Sequence, residues 1–324
     1  MQPAFSVIFL TTLIGAGQGL FLALVTAEAF SHMGSLSTQE HPFYSTGSLL
    51  SLGLLVAGLV ASFFHLGHPE RAWRSAAMWR TSWLSREVIA LPAFMGVVFV
   101  YGLLHYLEWS PKVFGTTALP ETSLTLMVGI IGVVLCFTLF ICTGMIYACL
   151  KFLQEWHTPL TPINYTLLGM SSGFTLATAF ATQYSLELTS LFGTWAIIFT
   201  LAALLTRTAS LLRNKRIKYR STLSTAIGVR HSNIQQKSQG SMGGSFNTRE
   251  FFHGMSAVFL KSVKWVFLLL AFPLPLLLLG MGLSNDATVL LVLAFAVQYV
   301  GLIAERWFFF AQANHPQNLY YQTI

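Results

Sequence analysis

The chain has 324 residues, of which 54% are hydrophobic and only 9% are charged, with a formal net charge of +7 and a mean hydropathy of +0.65. Soluble globular domains have about 25% charged residues, so this composition excludes a water-soluble protein and indicates a polytopic membrane protein. In such a protein, Lys and Arg report membrane topology before they suggest nucleic-acid binding.

Eight hydrophobic runs are long enough to span a bilayer, which takes about 20 residues. They cover roughly residues 5–29, 47–66, 87–107, 123–149, 163–183, 188–206, 264–283 and 286–308. The fifth is the weakest because it is rich in Ser, Thr and Gly. Pro273 and Pro275 are predicted to kink the seventh. The predicted fold is an all-α membrane helix bundle of about eight transmembrane helices, forming one integral-membrane domain over residues 1–324.

The start of the chain and its cysteines suggest no processing and no metal site. MQPAFSVIFL lacks the basic region and the cleavage site of a signal peptide, so we expect the first helix to be retained. The three cysteines, Cys136, Cys142 and Cys149, lie in one hydrophobic run without a CxxC pair. No metal or iron–sulfur site is therefore predicted for this chain.

Positive charge is distributed very unevenly across the predicted membrane. With eight spans, 17 of the 18 Lys and Arg residues lie on one side, and only Lys112 lies on the other. The positive-inside rule predicts that both termini, the loop between helices 2 and 3, and a basic loop over residues 207–262 are cytoplasmic. Contact with a soluble partner or with anionic lipid is another reason for such charges.

The loop after the second helix begins FFHLGHPERAW (63–73) and concentrates hydrogen-bonding chemistry at one membrane face. His65 ends helix 2 and Glu87 opens helix 3, and such ionisable groups near the bilayer are costly and often functional. A quinone has two carbonyl oxygens and takes up two protons on reduction. A histidine can hydrogen-bond one oxygen, and a carboxylate can transfer protons.

A purely structural interpretation of the same residues is also open. His65 and Glu87 are both favoured by the helix dipole at the ends where they lie, Arg86 can extend to the lipid headgroups, and tryptophans commonly anchor at the interface. Glu305 and Arg306 are interpreted as the end of the eighth helix. A haem held by two of the histidines His32, His41 and His105 is possible on the opposite side, but none of them lies at mid-bilayer, so no haem is expected.

The stretch FFHLGHPERAWRSAAMWRTSWLSREV (63–88) resembles the membrane anchor subunit of the dimethyl sulfoxide reductase family. MQPAFSVIFL, WHTPLTPINY and MGGSFNTREFFHG extend the likeness over nearly the whole chain. The resemblance implies a three-subunit complex in which molybdopterin and iron–sulfur clusters are carried by a catalytic subunit and a four-cluster partner. The anchor exchanges electrons with ubiquinone or menaquinone, usually without haem.

The resemblance also implies roles for individual residues. In the family, a histidine closing helix 2 and a glutamate opening helix 3 form the quinone site, which here are His65 and Glu87. The further residues expected at this site are Arg71, Trp83 and Arg86, and those expected at the partner's docking surface are Arg74, Arg80 and Arg249.

The predicted topology departs from that of the dimethyl sulfoxide reductases, whose catalytic subunits lie outside the cytoplasmic membrane. A cytoplasmic His65–Glu87 loop is more similar to the sulfite-oxidising relatives, whose catalytic subunits are cytoplasmic. We therefore expect an anchor in the bacterial inner membrane that passes electrons from sulfite oxidation to quinone and does not itself act on sulfite. The alternatives are an anchor of a dimethyl sulfoxide or similar reductase that oxidises menaquinol, and a non-redox transporter. A transporter typically has inverted repeats, and we find no repeat.

Overall fold

The computed structural model describes residues 1–116, 119–231, 233–235 and 251–318. The six long helices of the first two thirds are α1 (Phe5–His32), α2 (His41–Phe63), α3 (Trp83–Tyr106), α4 (Leu124–Ala148), α5 (Leu160–Ala181) and α6 (Leu186–Lys215). The later helices are the short α7 (Leu223–Ile227), α8 (Ala257–Ala271), α9 (Pro273–Ser284) and α10 (Thr288–Ala311). A 3-10 helix (Pro69–Met78) joins α2 to α3, and an antiparallel hairpin of β1 (Lys112–Thr116) and β2 (Leu119–Ser123) joins α3 to α4.

Most of the long helices satisfy the requirements of a membrane span. Seven helical stretches in the described ranges are long and apolar enough, with α8 and α9 together forming one of them. The 22-residue α5 is the exception, because Ser, Thr and Gly lower its hydropathy. It packs inside the bundle against α1 and α6. The all-α polytopic bundle that the sequence predicts is confirmed, with the weakest predicted span as a buried helix.

The seventh predicted span is broken where its first proline lies. Helix α8 ends at Ala271, Phe272 has φ −126° and ψ −79°, and α9 begins at Pro273. Proline has no N–H to donate and its ring clashes with the preceding turn. The predicted kink is therefore confirmed.

Helix α1 is the centre of the bundle. In its most apolar stretch 78% of the residues are buried, compared with 28% to 39% in the other candidate spans. Its glycines Gly15 and Gly19 lie against Gly169 and Gly173 of α5. Small residues allow helix backbones to approach closely in a membrane, where packing replaces the hydrophobic effect as the force between helices. The small residues that weaken α5 as a predicted span thus fit it to α1.

We expect Gly173→Ala to destabilise the bundle, because a Cβ at this position would overlap the backbone of Gly19 and Leu20. Overpacking of this kind costs about 1–3 kcal/mol. The melting temperature of the detergent-purified protein should fall. Gly53→Ala is the matched control, since a Cβ there meets no atom within 4 Å. Equal melting temperatures for the two variants would contradict this, because they would mean that α1 and α5 can move apart to accommodate the added Cβ without loss of stability.

Helix α6 is longer than the sequence predicts. The predicted span stops at 206 and the basic loop starts at 207, whereas α6 continues to Lys215. The extension is stabilised from outside the helix: Arg213 donates to the carbonyls of Gln154 (3.0 Å) and His157 (3.2 Å). The first part of the predicted 207–262 loop is therefore helical.

The chain ends and several connections meet at one end of the bundle. The Met1 nitrogen donates to the Ala313 carbonyl at the end of α10 (2.7 Å). Arg213 joins the end of α6 to the α4–α5 connection. These contacts bring together the two chain ends, and the end of α6 with the α4–α5 connection, which are among the segments that the charge count groups on one side.

Candidate functional site

Glu87 lies in the second turn of α3, not at its start. The Ser82 hydroxyl caps the helix by accepting from the Ser85 N–H (3.4 Å), and no acidic residue lies in the first turn. The helix dipole acts mainly within the first turn. The helix dipole therefore does little to stabilise the Glu87 carboxylate and does not explain why a carboxylate lies at this position.

The Glu87 side chain meets residues of four other helices, α1, α4, α5 and α10, at a small internal cavity. It accepts a hydrogen bond from the Thr143 hydroxyl of α4 and is partly buried. The cavity it lines has about 20 Å³ for water and is also lined by Gln18, Tyr165 and Arg306. That is room for about one water molecule. A carboxylate beside such a water can exchange protons with it.

His65 lies just beyond the end of α2 and is exposed. It is not among the residues that line the Glu87 cavity. The protein around the ring lowers the pKa of His65 through desolvation. A neutral imidazole at pH 7 has one donor and one acceptor nitrogen, so His65 can donate a hydrogen bond to a ligand at this surface.

Arg86 fixes the loop that connects His65 to Glu87. Its Nε and Nη2 donate to the carbonyls of Trp79 (2.9 Å) and Arg80 (2.7 Å). Its guanidinium also lies over the Trp83 ring, 4.3 Å from the centroid. Five donors in a fixed geometry suit this role. Arg86 therefore positions the start of α3 and does not simply extend into the headgroups.

The 3-10 helix and the residues after it form an exposed basic surface with aromatic groups, which we call the basic loop surface and define by Arg71, Arg74 and Arg80. None of the residues in Pro69–Met78 is buried. Arg71 lies 3.7 Å from Glu70. Arg74 and Arg80 each lie over the neighbouring tryptophan, at 5.6 and 5.4 Å from the ring centroids. Arg249, the third predicted docking residue, lies outside the described residues.

A buried charge cluster is the feature that sequence reasoning missed. The interpretation of Glu305 and Arg306 as a helix end is wrong, because α10 continues to Ala311 and both side chains are buried. Arg207 Nε lies 2.7 Å from Glu305 Oε1, and Arg306 Nη1 donates to Glu305 Oε2 at 3.0 Å. The Arg306 guanidinium stacks 3.6 Å above the Tyr165 ring. The available signal was the run GLIAERWFFFA, in which apolar residues continue past the charged pair.

A second polar network occupies the opposite end of the bundle. Glu28 is buried and accepts from the Tyr101 hydroxyl (2.7 Å) and from Thr125. His105 Nε2 lies 3.7 Å from Glu28, and its Nδ1 lies 3.0 Å from Nδ1 of His41. Of the three histidines that the sequence places on this side, His32, His41 and His105, the last two are in contact. Among the described residues, no group of three or more His, Cys, Asp or Glu side chains is arranged to hold a metal ion.

Residues 1–312 match the family described as DMSO reductase anchor subunit (DmsC). The chain is also 56% identical to the C subunit of the sulfite dehydrogenase of Allochromatium vinosum, over all 324 residues and over the full length of both proteins. The resemblance of residues 63–88 to the anchor subunit of the dimethyl sulfoxide reductase family is thus confirmed, and it extends over almost the whole chain. The chain belongs to the DMSO reductase anchor subunit family, and it is a membrane anchor subunit.

Proposed function

We propose that this anchor passes electrons from sulfite oxidation on partner subunits to quinone in the bacterial cytoplasmic membrane. The observation that carries the proposal is the full-length likeness to a protein named as part of a sulfite dehydrogenase. The charge distribution supports it, because 17 of 18 Lys and Arg residues fall on the side that includes the His65–Glu87 loop. By the positive-inside rule that side is cytoplasmic, as a cytoplasmic catalytic subunit requires.

The proposed partners are a four-cluster iron–sulfur subunit and a molybdopterin catalytic subunit. The basic loop surface is the proposed contact, because it is exposed at the same end as Glu87. Exposed Trp73 and Trp79 add apolar area between the arginines. Interfaces between proteins are enriched in tryptophan and arginine. Electrons leaving a cluster bound there would have a short path to a quinone beside Glu87.

In the proposed reaction, sulfite and water give sulfate, two electrons and two protons on the catalytic subunit. Quinone takes up two electrons and two protons to become quinol. Among the residues of this chain, His65 donates a hydrogen bond to one quinone oxygen, which takes its proton from the solvent at this exposed residue, and Glu87 delivers a proton to the other oxygen. The Glu87 cavity is far smaller than a quinone ring, so the ring binds at the partly exposed side of Glu87, and water occupies the cavity behind it.

The test is to purify the chain with its bound partners from native membranes, identify them by mass spectrometry, and assay electron transfer. We expect molybdopterin and iron–sulfur subunits, and sulfite-dependent reduction of a ubiquinone or menaquinone analogue. Oxidation of menaquinol by dimethyl sulfoxide, without sulfite activity, would replace this function with that of a reductase anchor. Recovery of the chain without any redox partner would overturn the proposal.

A further inference from the structure

We propose that protons reach Glu87 through the protein interior, by a route from Glu155 through the Tyr165 hydroxyl. The inference rests on the proposed reaction with quinone, because it names the source of the proton that Glu87 gives to the quinone. The other possible route is directly from the solvent around the 63–83 loop. Three observations favour the interior: an outer carboxylate with one unpaired oxygen, two adjoining water-sized cavities, and a hydroxyl in the wall between them.

The outer end of the route is Glu155, in the connection between α4 and α5. Its side chain is buried, with 4% exposure. Oε1 accepts from the Tyr219 hydroxyl (2.7 Å) and from the Asn314 N–H (3.1 Å). Both of these residues line an open cleft at the protein surface. One oxygen of Glu155 is thus linked to the surface cleft through the Tyr219 hydroxyl, which can both donate and accept a proton.

The other oxygen of Glu155 has no hydrogen-bond partner among the described residues. Glu155 also lines a cavity of about 10 Å³, close to the volume that one water needs. Its lining includes Glu155 and Tyr165 together with the charge cluster Arg207, Glu305 and Arg306. Arg207 Nη2 is also buried without a hydrogen-bond partner in the described part of the chain.

Unpaired buried polar atoms of this kind each cost about 1–3 kcal/mol. Buried waters characteristically bond to such groups and make two to four hydrogen bonds each. A water in this cavity would meet an acceptor on Glu155, a donor on Arg207 and a hydroxyl on Tyr165. The cavity is therefore polar enough to be occupied by water, and it leads from Glu155 to Tyr165.

Tyr165 and Arg306 line this cavity and also the Glu87 cavity. They form the wall between the two. Arginine cannot be deprotonated in a protein, whereas a hydroxyl both donates and accepts. Tyr165 is thus the member of the wall that can relay a proton, and Arg306, which lies over its ring, is a positioning residue.

The relay leaves its members unchanged after each transfer. Tyr165 gives one proton to the water beside Glu87 and takes one from the water beside Glu155, and Glu155 recovers its proton from the surface cleft. For each quinone reduced, one such transfer replaces the proton that Glu87 gives to its quinone oxygen. Since the route and the proposed partner lie at one end of the bundle, the protons come from the side that supplies the electrons.

The test is Tyr165→Phe in the intact three-subunit complex. We expect sulfite-dependent quinone reduction to slow by about tenfold or more, toward the 10² that a lost proton-transfer group costs. Sulfite-dependent reduction of ferricyanide, which takes electrons from the partner subunits, should be unchanged. A small membrane-permeant weak acid such as formate should restore quinone turnover, because it can carry the proton that the variant no longer relays. Added acid would not restore turnover if the variant were slow only because its structure is distorted. The matched control is Tyr44→Phe, because Tyr44 is also a buried tyrosine but stacks on His105 (4.4 Å) at the opposite end of the bundle and lines neither cavity.

Each outcome decides the matter. Normal quinone turnover in Tyr165→Phe, beside slow turnover in Glu87→Gln, would reject the route and leave the proposed function standing. Normal turnover in both variants would remove the proposed function of Glu87 as well. A slow variant that weak acid does not restore, with a raised KM for quinone, would show a distorted binding site and reject the relay. If Tyr165→Phe does not assemble, Glu155→Gln carries the same test from the outer end, and normal turnover there rejects the route.

Discussion

Glu87→Gln is expected to slow sulfite-dependent quinone reduction by about 10²-fold or more, the range that general acid–base catalysis contributes. Glutamine has nearly the same shape, and its carbonyl can still accept from the Thr143 hydroxyl that now bonds Glu87. It cannot carry a proton to the quinone oxygen. Assembly with the partners and ferricyanide reduction should therefore be preserved. The measurement is steady-state turnover of the purified complex with sulfite and each acceptor.

Glu28→Gln is the matched control for this variant. Glu28 is also a buried carboxylate that accepts a hydroxyl hydrogen bond from a threonine of α4, but it lies at the opposite end of the bundle. Its replacement should leave quinone reduction within about twofold of the unmodified complex, since it has no part in general acid–base chemistry there. Normal turnover in Glu87→Gln would remove Glu87 from the mechanism. An equal loss in both variants would indicate a general effect of losing a buried carboxylate.

Glu305→Gln is expected to be among the most destabilising single changes in the chain. Among the described residues, Glu305 is the carboxylate that pairs with both Arg207 and Arg306, and all three side chains are buried. Its loss leaves two buried guanidinium groups without the carboxylate that pairs with them, and breaking a buried pair costs about 3–5 kcal/mol. We expect a large fall in the amount of folded protein in membranes, and a lower melting temperature of what remains in detergent.

Arg207→Met provides the comparison that isolates charge from packing. It removes one cation and leaves Glu305 paired with Arg306 in a one-to-one ratio. Methionine also keeps an apolar side chain against Phe267 and Phe308, over which the Arg207 guanidinium lies. Arg207→Met should therefore cost much less than Glu305→Gln. Equal losses in the two variants would mean that the charge balance of the cluster does not determine its stability.

The fold class was predictable because the membrane restricts it severely. Backbone groups in lipid must be hydrogen-bonded within their own segment, so a long apolar run is read as a helix with few alternatives. The same reasoning located the break at Pro273, whose missing N–H cannot continue the helix. The 63–88 stretch identified the family because it combines His65 and Glu87 with closely spaced Arg and Trp residues, which hydropathy alone would not specify.

Neighbouring helices were not predictable in the same way. A run of apolar residues has little amphipathic pattern when lipid and protein interior are equally apolar, so it does not show which face packs against which helix. The sequence alone therefore offers no reason to join Glu87 to Thr143, or Gly173 to Gly19. It also led us to interpret Arg207 as a loop residue and Glu305 as a helix end.

Composition and motif thus established the membrane helix bundle, the polar 63–88 stretch and the family. These follow from local hydropathy and from the spacing of residues that are close in sequence. The tertiary structure decided which polar groups meet: Arg207 with Glu305 and Arg306, and Glu155 with Tyr219. A charge inside a bilayer is tolerated only beside its partner, and that partner here comes from a distant helix. The packing of helices that are remote in sequence therefore determined the buried charge cluster and the two cavities beside it.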